Sequence, residues 1–242
     1  MRRCALAFDS DGNSCGGDAL LTVAEEFLLL TAGSPDETAT APAVHLDDDR
    51  LGIRLAMNGA ALMELALRDR IETDIERLWV CDAKPTGEPS IDPVLARLLE
   101  APAPDGGTRA IVDTLKALDD INSCRLALAS LRSRGLVGER SERVFGLVPV
   151  KSPVVTGIAA MRAIRKRVLD VLFAGEIPDP RDACLISLLD ATKKFRRVVA
   201  EERVQDAMAQ TRRYSSLDLV GRNVAIHVTQ MINSFSKYGD IV

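Results

Sequence analysis

Apolar residues recur in this chain at the spacing of a helix rather than of a strand. Leu55, Leu62, Met63, Ala66 and Leu67 share one face of a 3.6-residue period, as do Leu217, Val220, Val224, Val228, Met231 and Phe235 further on. Aromatic residues make up only 4% of the chain, so its core must be assembled mainly from Leu, Ala and Val. That composition favours helices over sheets. The expected fold class is mainly α: a helical bundle with peripheral amphipathic helices and two short β-hairpins.

Local signals place the elements. Thr22-Val23-Ala24-Glu25 reads as a capping box, with the apolar run Phe27 to Leu30 behind it and Gly33-Ser34-Pro35-Asp36 ending the helix. Residues 34–50 read as a polar loop, and a second helix is expected from about Leu55 to Arg70. Ile71 to Ile75 and Leu78 to Cys81 form the first expected hairpin, and Ser90 is expected to cap a helix through Leu99. The stripe Ile111, Val112, Leu115 and Leu118 leads into a helix from Leu126 to Arg134, with Gly135 as its C′ residue. Residues 136–154 read as the second hairpin. Four further helices are expected at 155–173, 180–192 (Asp179 as cap, Pro180 in first position), 194–213 and 216–236. One internal echo stands out: helix, Arg68-Asp69-Arg70-Ile71 and strand resembles helix, Arg132-Ser133-Arg134-Gly135-Leu136 and strand.

Length and composition suit one folded domain. The chain has 242 residues, 47% apolar and 27% charged. Residues 1–18, rich in glycine and acids, read as a flexible acidic lead, and 19–242 as a single domain. The most apolar stretch, Leu55 to Leu67, is split by Glu64, so no spanning helix is expected. Only a few apolar residues follow Met1-Arg2-Arg3 before Asp9, too short for a signal peptide, so a cytoplasmic location is expected. Residues 1–50 carry ten acids against three bases, a net of −7, whereas the whole chain carries −4 and the rest therefore +3. Five scattered cysteines and two histidines, His45 and His227, suggest neither a disulfide framework nor a metal site, and the thiols read as buried hydrophobes.

Catalytic signatures are scarce. The sequence holds no phosphate-cradling glycine loop, no H-E-x-x-H and no G-x-S-x-G. Ser234-Phe235-Ser236-Lys237 matches S-x-x-K only on paper, without its companion motifs. No enzyme and no cofactor is expected.

Several segments, in order, resemble the Golgi phosphoprotein 3 family of phosphatidylinositol 4-phosphate-binding peripheral membrane proteins. Leu21-Thr22-Val23-Ala24-Glu25-Glu26-Phe27-Leu28-Leu29-Leu30 is similar to its opening helix, and Gly59 to Ile71 to its helix-to-strand signature. Asp82-Ala83-Lys84-Pro85-Thr86-Gly87-Glu88-Pro89-Ser90-Ile91-Asp92 matches its D-A-x-P-T-G-x-x-x-x-D turn. Leu131 to Val137, Phe145 to Pro153 and Pro178-Asp179-Pro180-Arg181 complete the set. The resemblance implies a helical protein decorated with hairpins, membrane-peripheral and often oligomeric, with a basic headgroup pocket beside an apolar hairpin tip.

The pocket departs from that pattern. The family's tryptophan aligns with Asp49, and its arginine before the second helix's glycine aligns with Asn58. Its two arginines on the helix before the hairpin align with Ile121 and Cys124. Arg50, Arg54 and Arg125 lie close to the replaced positions and are the candidates for an anionic lipid headgroup, because a guanidinium suits phosphate. Phe145, Leu147 and Val148, where a polar turn would be expected, are the candidates for membrane contact. Two basic groups, Arg162 to Arg167 and Lys193 to Arg197, read either as solvated helix faces or as an anionic-membrane surface.

The expected partner is an anionic membrane lipid headgroup, with a homo-oligomer and a protein partner left open. The rival reading is a soluble interaction or regulatory module with winged-helix-like units, since helix, Gly135 and hairpin also outline a nucleic-acid-binding wing. Against nucleic acid stand a pI of about 5.4 and the apolar, small residues of Leu126 to Leu131, where a recognition helix would be basic.

Overall fold

A buried eight-residue helix organises the protein. In α1 (Val23–Leu30) every side chain is buried, including Glu25 and Glu26. Thr22 accepts from the Glu25 N–H while Glu25 Oε2 accepts from the Thr22 N–H at 2.7 Å, so the expected capping box is formed in full. The computed structural model describes residues 20–32, 42–44, 51–74, 76–100, 107–144 and 148–214. The lead 1–18, His45, the turn after α1 and the expected helix at 216–236 lie outside them.

Helix α2 (Leu51–Leu67) starts four residues earlier than its apolar stripe suggests and buries Leu55, Ala56, Met57, Ala60, Ala61, Leu62, Met63 and Leu65. Small residues at 56, 60 and 61 let neighbouring helices approach closely. After Asp69, at φ +56°, the chain turns into β1 (Ile71–Thr73) and β2 (Arg77–Val80). A third antiparallel strand, β3 (Thr108–Ala110), pairs with β2, so the first expected hairpin is a three-stranded sheet.

Helix α3 (Asp92–Glu100) begins two residues beyond the expected cap. Ser90 instead faces Thr22, their hydroxyl oxygens 3.4 Å apart. Helix α4 (Ile111–Ala117) follows β3 directly, and α5 (Ser123–Ser133) ends at Gly135, whose φ of +70° only glycine adopts freely. Strands β4 (Val137–Val144) and β5 (Val148–Val155) form the second hairpin in unbroken register from Val137↔Val155 to Val144↔Val148. Pro42 to Val44, expected as polar loop, add an antiparallel bridge, Ala43↔Val154.

Helix α6 (Ile158–Leu169) starts late because Thr156 and Gly157 still close the hairpin, both N–H groups donating to Leu136 O. A Cβ at Gly157 would meet Leu136 Cδ2 at 2.4 Å, so any larger residue there would make the Leu136 side chain shift. The helix widens into a π turn, Asp170–Ala174, that ends at Gly175. Helix α7 (Pro180–Ala191) has Asp179 as its cap and Pro180 in first position, as expected. The single helix expected at 194–213 is broken. Two 3₁₀ turns, Phe195–Arg197 and Glu201–Arg203, precede α8 (Val204–Tyr214). Phe195, Val198 and Val199 are all buried. One straight helix would turn the adjacent valines apart, and their β-branching disfavours helix as well.

Candidate functional site

The N-terminal half of α2 meets the turn between α4 and α5. Asn58 Nδ2 donates to Leu118 O at 3.0 Å, and its Oδ1 accepts from Ser123 Oγ at 2.7 Å. One turn earlier, Arg54 Nη2 lies 3.0 and 3.1 Å from the two carboxylate oxygens of Asp119. Arg125 is exposed in the first turn of α5, where its N–H donates to the Asn122 cap at 2.9 Å. Arg54 and the start of α5 therefore share one corner of the fold. Arg50 lies outside the described residues.

At the described replaced positions the side chains turn inward, where the resemblance implies residues lining an open basic pocket. Asn58 and Cys124 are each 1% exposed, and Ile121 packs partly buried against the core. Asn58 satisfies polar groups of the α4–α5 turn, so its side chain is committed inward. Asp49 is outside the described residues.

The β4–β5 hairpin stands beside α5. Its base is packed through Val137, Val154 and Val155, all buried. Above that, Glu139, Arg140, Ser141 and Lys151 are exposed. Eight residues per strand span about 26 Å. Phe145 and Leu147 lie outside the described residues, and Val148 is placed as the first residue of β5, opposite Val144.

The basic groups are largely engaged internally. Arg165 Nη2 donates to Arg197 O at 3.1 Å and Ala32 O at 3.3 Å, tying α6 to the end of α1. Arg167 bonds Glu26 and Asp182. Lys166 pairs with Asp170, Lys193 with Asp190 and Arg196 with Glu201. Arg162 stands exposed on α6.

A different set of charges, which sequence reasoning passed over, forms the most connected polar structure among the described residues. Arg181 Nη1 and Nη2 reach Glu64 at 2.7 and 3.1 Å. Glu64 also accepts from Arg68 at 2.7 Å and from the Val23 N–H at 2.8 Å. Arg134 Nη2 lies 2.7 Å from Glu88 Oε2, and Arg68 Nη2 3.4 Å from Glu88 Oε1. Arg134 Nε also lies 3.6 Å from Glu25. Asp92 positions Glu88, accepting from the Thr86 N–H and hydroxyl, each at 2.7 Å, and from the Gly87 N–H at 3.1 Å. The opening helix, the helix-to-strand signature, the D-A-x-P-T-G turn, the helix before the hairpin and Pro178-Asp179-Pro180-Arg181 each contribute a member. The signal available in sequence was the set of motifs itself; their meeting point is a contact across the fold.

Electrostatics follow from that pairing. Burial pushes Glu64 upward, but the hydrogen bonds and charge of Arg181, with Arg68 and Val23, outweigh it and hold the carboxyl below its ordinary value. Burial dominates at Glu26 and Asp182 and raises both despite Arg167. The Cys184 thiol is pushed up to about 12 by burial, which leaves it inert, and Cys124 is buried too. Cys81, expected inside, is exposed at the end of β2. Among the described residues no helix is long and apolar enough to cross a membrane.

The family model described as Golgi phosphoprotein 3 (GPP34) matches residues 23–233. The chain belongs to the Golgi phosphoprotein 3 family. No curated protein matches it in sequence.

Proposed function

We propose that this member of the Golgi phosphoprotein 3 family is a non-enzymatic peripheral membrane protein that attaches reversibly to anionic lipid on the cytoplasmic face. The observation that carries this is the β4–β5 hairpin. It is anchored by Val137, Val154 and Val155 and exposed at Glu139, Arg140, Ser141 and Lys151, and the sequence between its strands reads Phe145-Gly146-Leu147, flanked by Arg143 and Lys151.

Magnitudes support a weak, reversible contact. Burying Phe145 and Leu147 in the acyl boundary contributes about 2 kcal/mol each. Arg143 and Lys151 add roughly 1 kcal/mol apiece at an anionic surface. Such a sum corresponds to an affinity between millimolar and micromolar. Arg54 and Arg125 supply a second basic contact at the α2–α5 corner. The inward commitment of Asn58 and the burial of Cys124 argue that this contact reads charge rather than the phosphatidylinositol 4-phosphate headgroup.

The nucleic-acid reading is less well supported. The order α3, β3, α4, α5, β4, β5 is that of a winged helix, yet β3 pairs with β2 instead of joining the wing. Helix α5 buries Cys124, Ala127, Leu128 and Leu131.

Co-sedimentation with phosphatidylcholine vesicles, with and without phosphatidylserine, tests the proposal. Binding should require phosphatidylserine and fall steeply with salt. Replacing phosphatidylserine by phosphatidylinositol 4-phosphate at equal surface charge should add little. Equal binding to neutral vesicles would contradict the reading.

A further inference from the structure

We propose that Asp119 is an internal competitor at the α2–α5 corner, occupying Arg54 until a lipid phosphate displaces it. This rests on the reading of that corner as membrane-facing.

The geometry of the pair is that of a poor fit. Arg54 meets both Asp119 oxygens with the single nitrogen Nη2, at 3.0 and 3.1 Å. A guanidinium binds an oxyanion best through two parallel N–H groups. The second donor of that edge, Arg54 Nε, is buried and has no hydrogen-bond partner among the described residues. A donor taken out of water and left unbonded carries a desolvation cost that a better ligand would recover.

A phosphate supplies what the carboxylate does not. Once the Arg54 side chain leaves Asp119 and its Nε is uncovered, two of the phosphate's tetrahedral oxygens can accept from Nε and Nη2 together. The existing pair is weakly held, because the Arg54 and Asp119 side chains are 37% and 44% exposed and such pairs open easily. Neighbouring charges do not take Asp119's place. Asp120 is engaged by Arg97 at 3.2 Å, and Asn58 is committed to Leu118 and Ser123. Displaced, Asp119 would still repel the arriving anion, so its presence weakens binding at every surface charge.

The test uses the full chain with phosphatidylcholine vesicles containing phosphatidylserine. Asp119→Asn should bind about two- to fivefold more tightly than the unaltered protein, the range an exposed ion pair allows. The gain should vanish in Asp119→Asn with Arg54→Gln, and Asp120→Asn should give a smaller gain. An unchanged affinity in Asp119→Asn, a gain that survives Arg54→Gln, or an equal gain from Asp120→Asn would overturn the proposal. Inorganic phosphate at matched ionic strength should leave the gain intact; its loss would assign the site to free phosphate and overturn the lipid source. Phe145→Ser separates the two readings. If it binds as the unaltered protein does while Asp119→Asn still gains, the hairpin reading fails and the competitor stands. Loss of binding in Phe145→Ser without a gain in Asp119→Asn is the reverse.

Discussion

Arg181 grips Glu64 with both terminal nitrogens, Nη1 at 2.7 Å from Oε2 and Nη2 at 3.1 Å from Oε1, across 117 residues of chain. Glu64 is fully buried, and Arg68 and the Val23 N–H complete its hydrogen bonding. The segments that carry the resemblance to the family therefore meet in an internal ionic frame. Under the proposed function, membrane contact falls to elements outside that frame, the hairpin and the α2–α5 corner.

Removing one side of that pair should be costly. Arg181→Met leaves a buried carboxylate short of its main partner, at about 3–5 kcal/mol. Replacing Glu64 and Arg181 together with Leu and Met should cost less than the two single changes added. Urea denaturation of the four proteins measures this, and strict additivity would mean that the pair is not coupled.

Stability should respond to acid in two stages. Glu26 and Asp182 have raised folded values, so the folded state takes up their protons first and they favour folding as pH falls through those values. Glu64 has a lowered folded value, so its contribution is present above its ordinary 4.5 and is lost as pH falls through the lowered one. Melting temperature should hold or rise slightly on acidification toward that point and fall below it. A steady decline from neutral pH would contradict the assignment.

Glu88 should behave as a shared anchor. Its side chain is 12% exposed and meets both Arg68 and Arg134. Glu88→Gln should cost about 1–3 kcal/mol, because two partly buried arginines lose a charged acceptor. Double-mutant cycles with Arg68→Met and Arg134→Met should each show coupling; a cycle that closes to zero would remove that arginine from the frame.

Placing at Asn58 the arginine that the resemblance implies there should not create a headgroup site. The site is 1% exposed, so Asn58→Arg overpacks it by about 1–3 kcal/mol and breaks the bonds to Leu118 and Ser123. The variant should melt several degrees lower and gain no preference for phosphatidylinositol 4-phosphate on a lipid array. Selectivity acquired at unchanged stability would show the pocket to be intact.

Signals carried within a few residues were legible in the sequence. The Thr22 capping box, Asp179 with Pro180, Gly135 at φ +70° and the β4–β5 hairpin all depend on neighbours in the chain. Strand β3 was not legible, since Thr108 to Ala110 has no periodicity and exists through pairing with β2. The break around Val198 and Val199 reflects burial of adjacent residues, a tertiary demand that overrides the charged helical pattern around it. At the candidate site, Arg54 could be named from its place near a replaced position. Asp119 as its partner, and Glu88 as the partner of two arginines, required the fold.

The most direct measurement is paired melting and vesicle sedimentation of Phe145→Ser with Leu147→Ser. On the proposed function the two changes should leave the melting temperature within about a degree, as substitutions outside the core do. Binding to phosphatidylserine-containing vesicles should be lost. A melting temperature several degrees lower with vesicle binding intact would place these residues in the core and contradict the account.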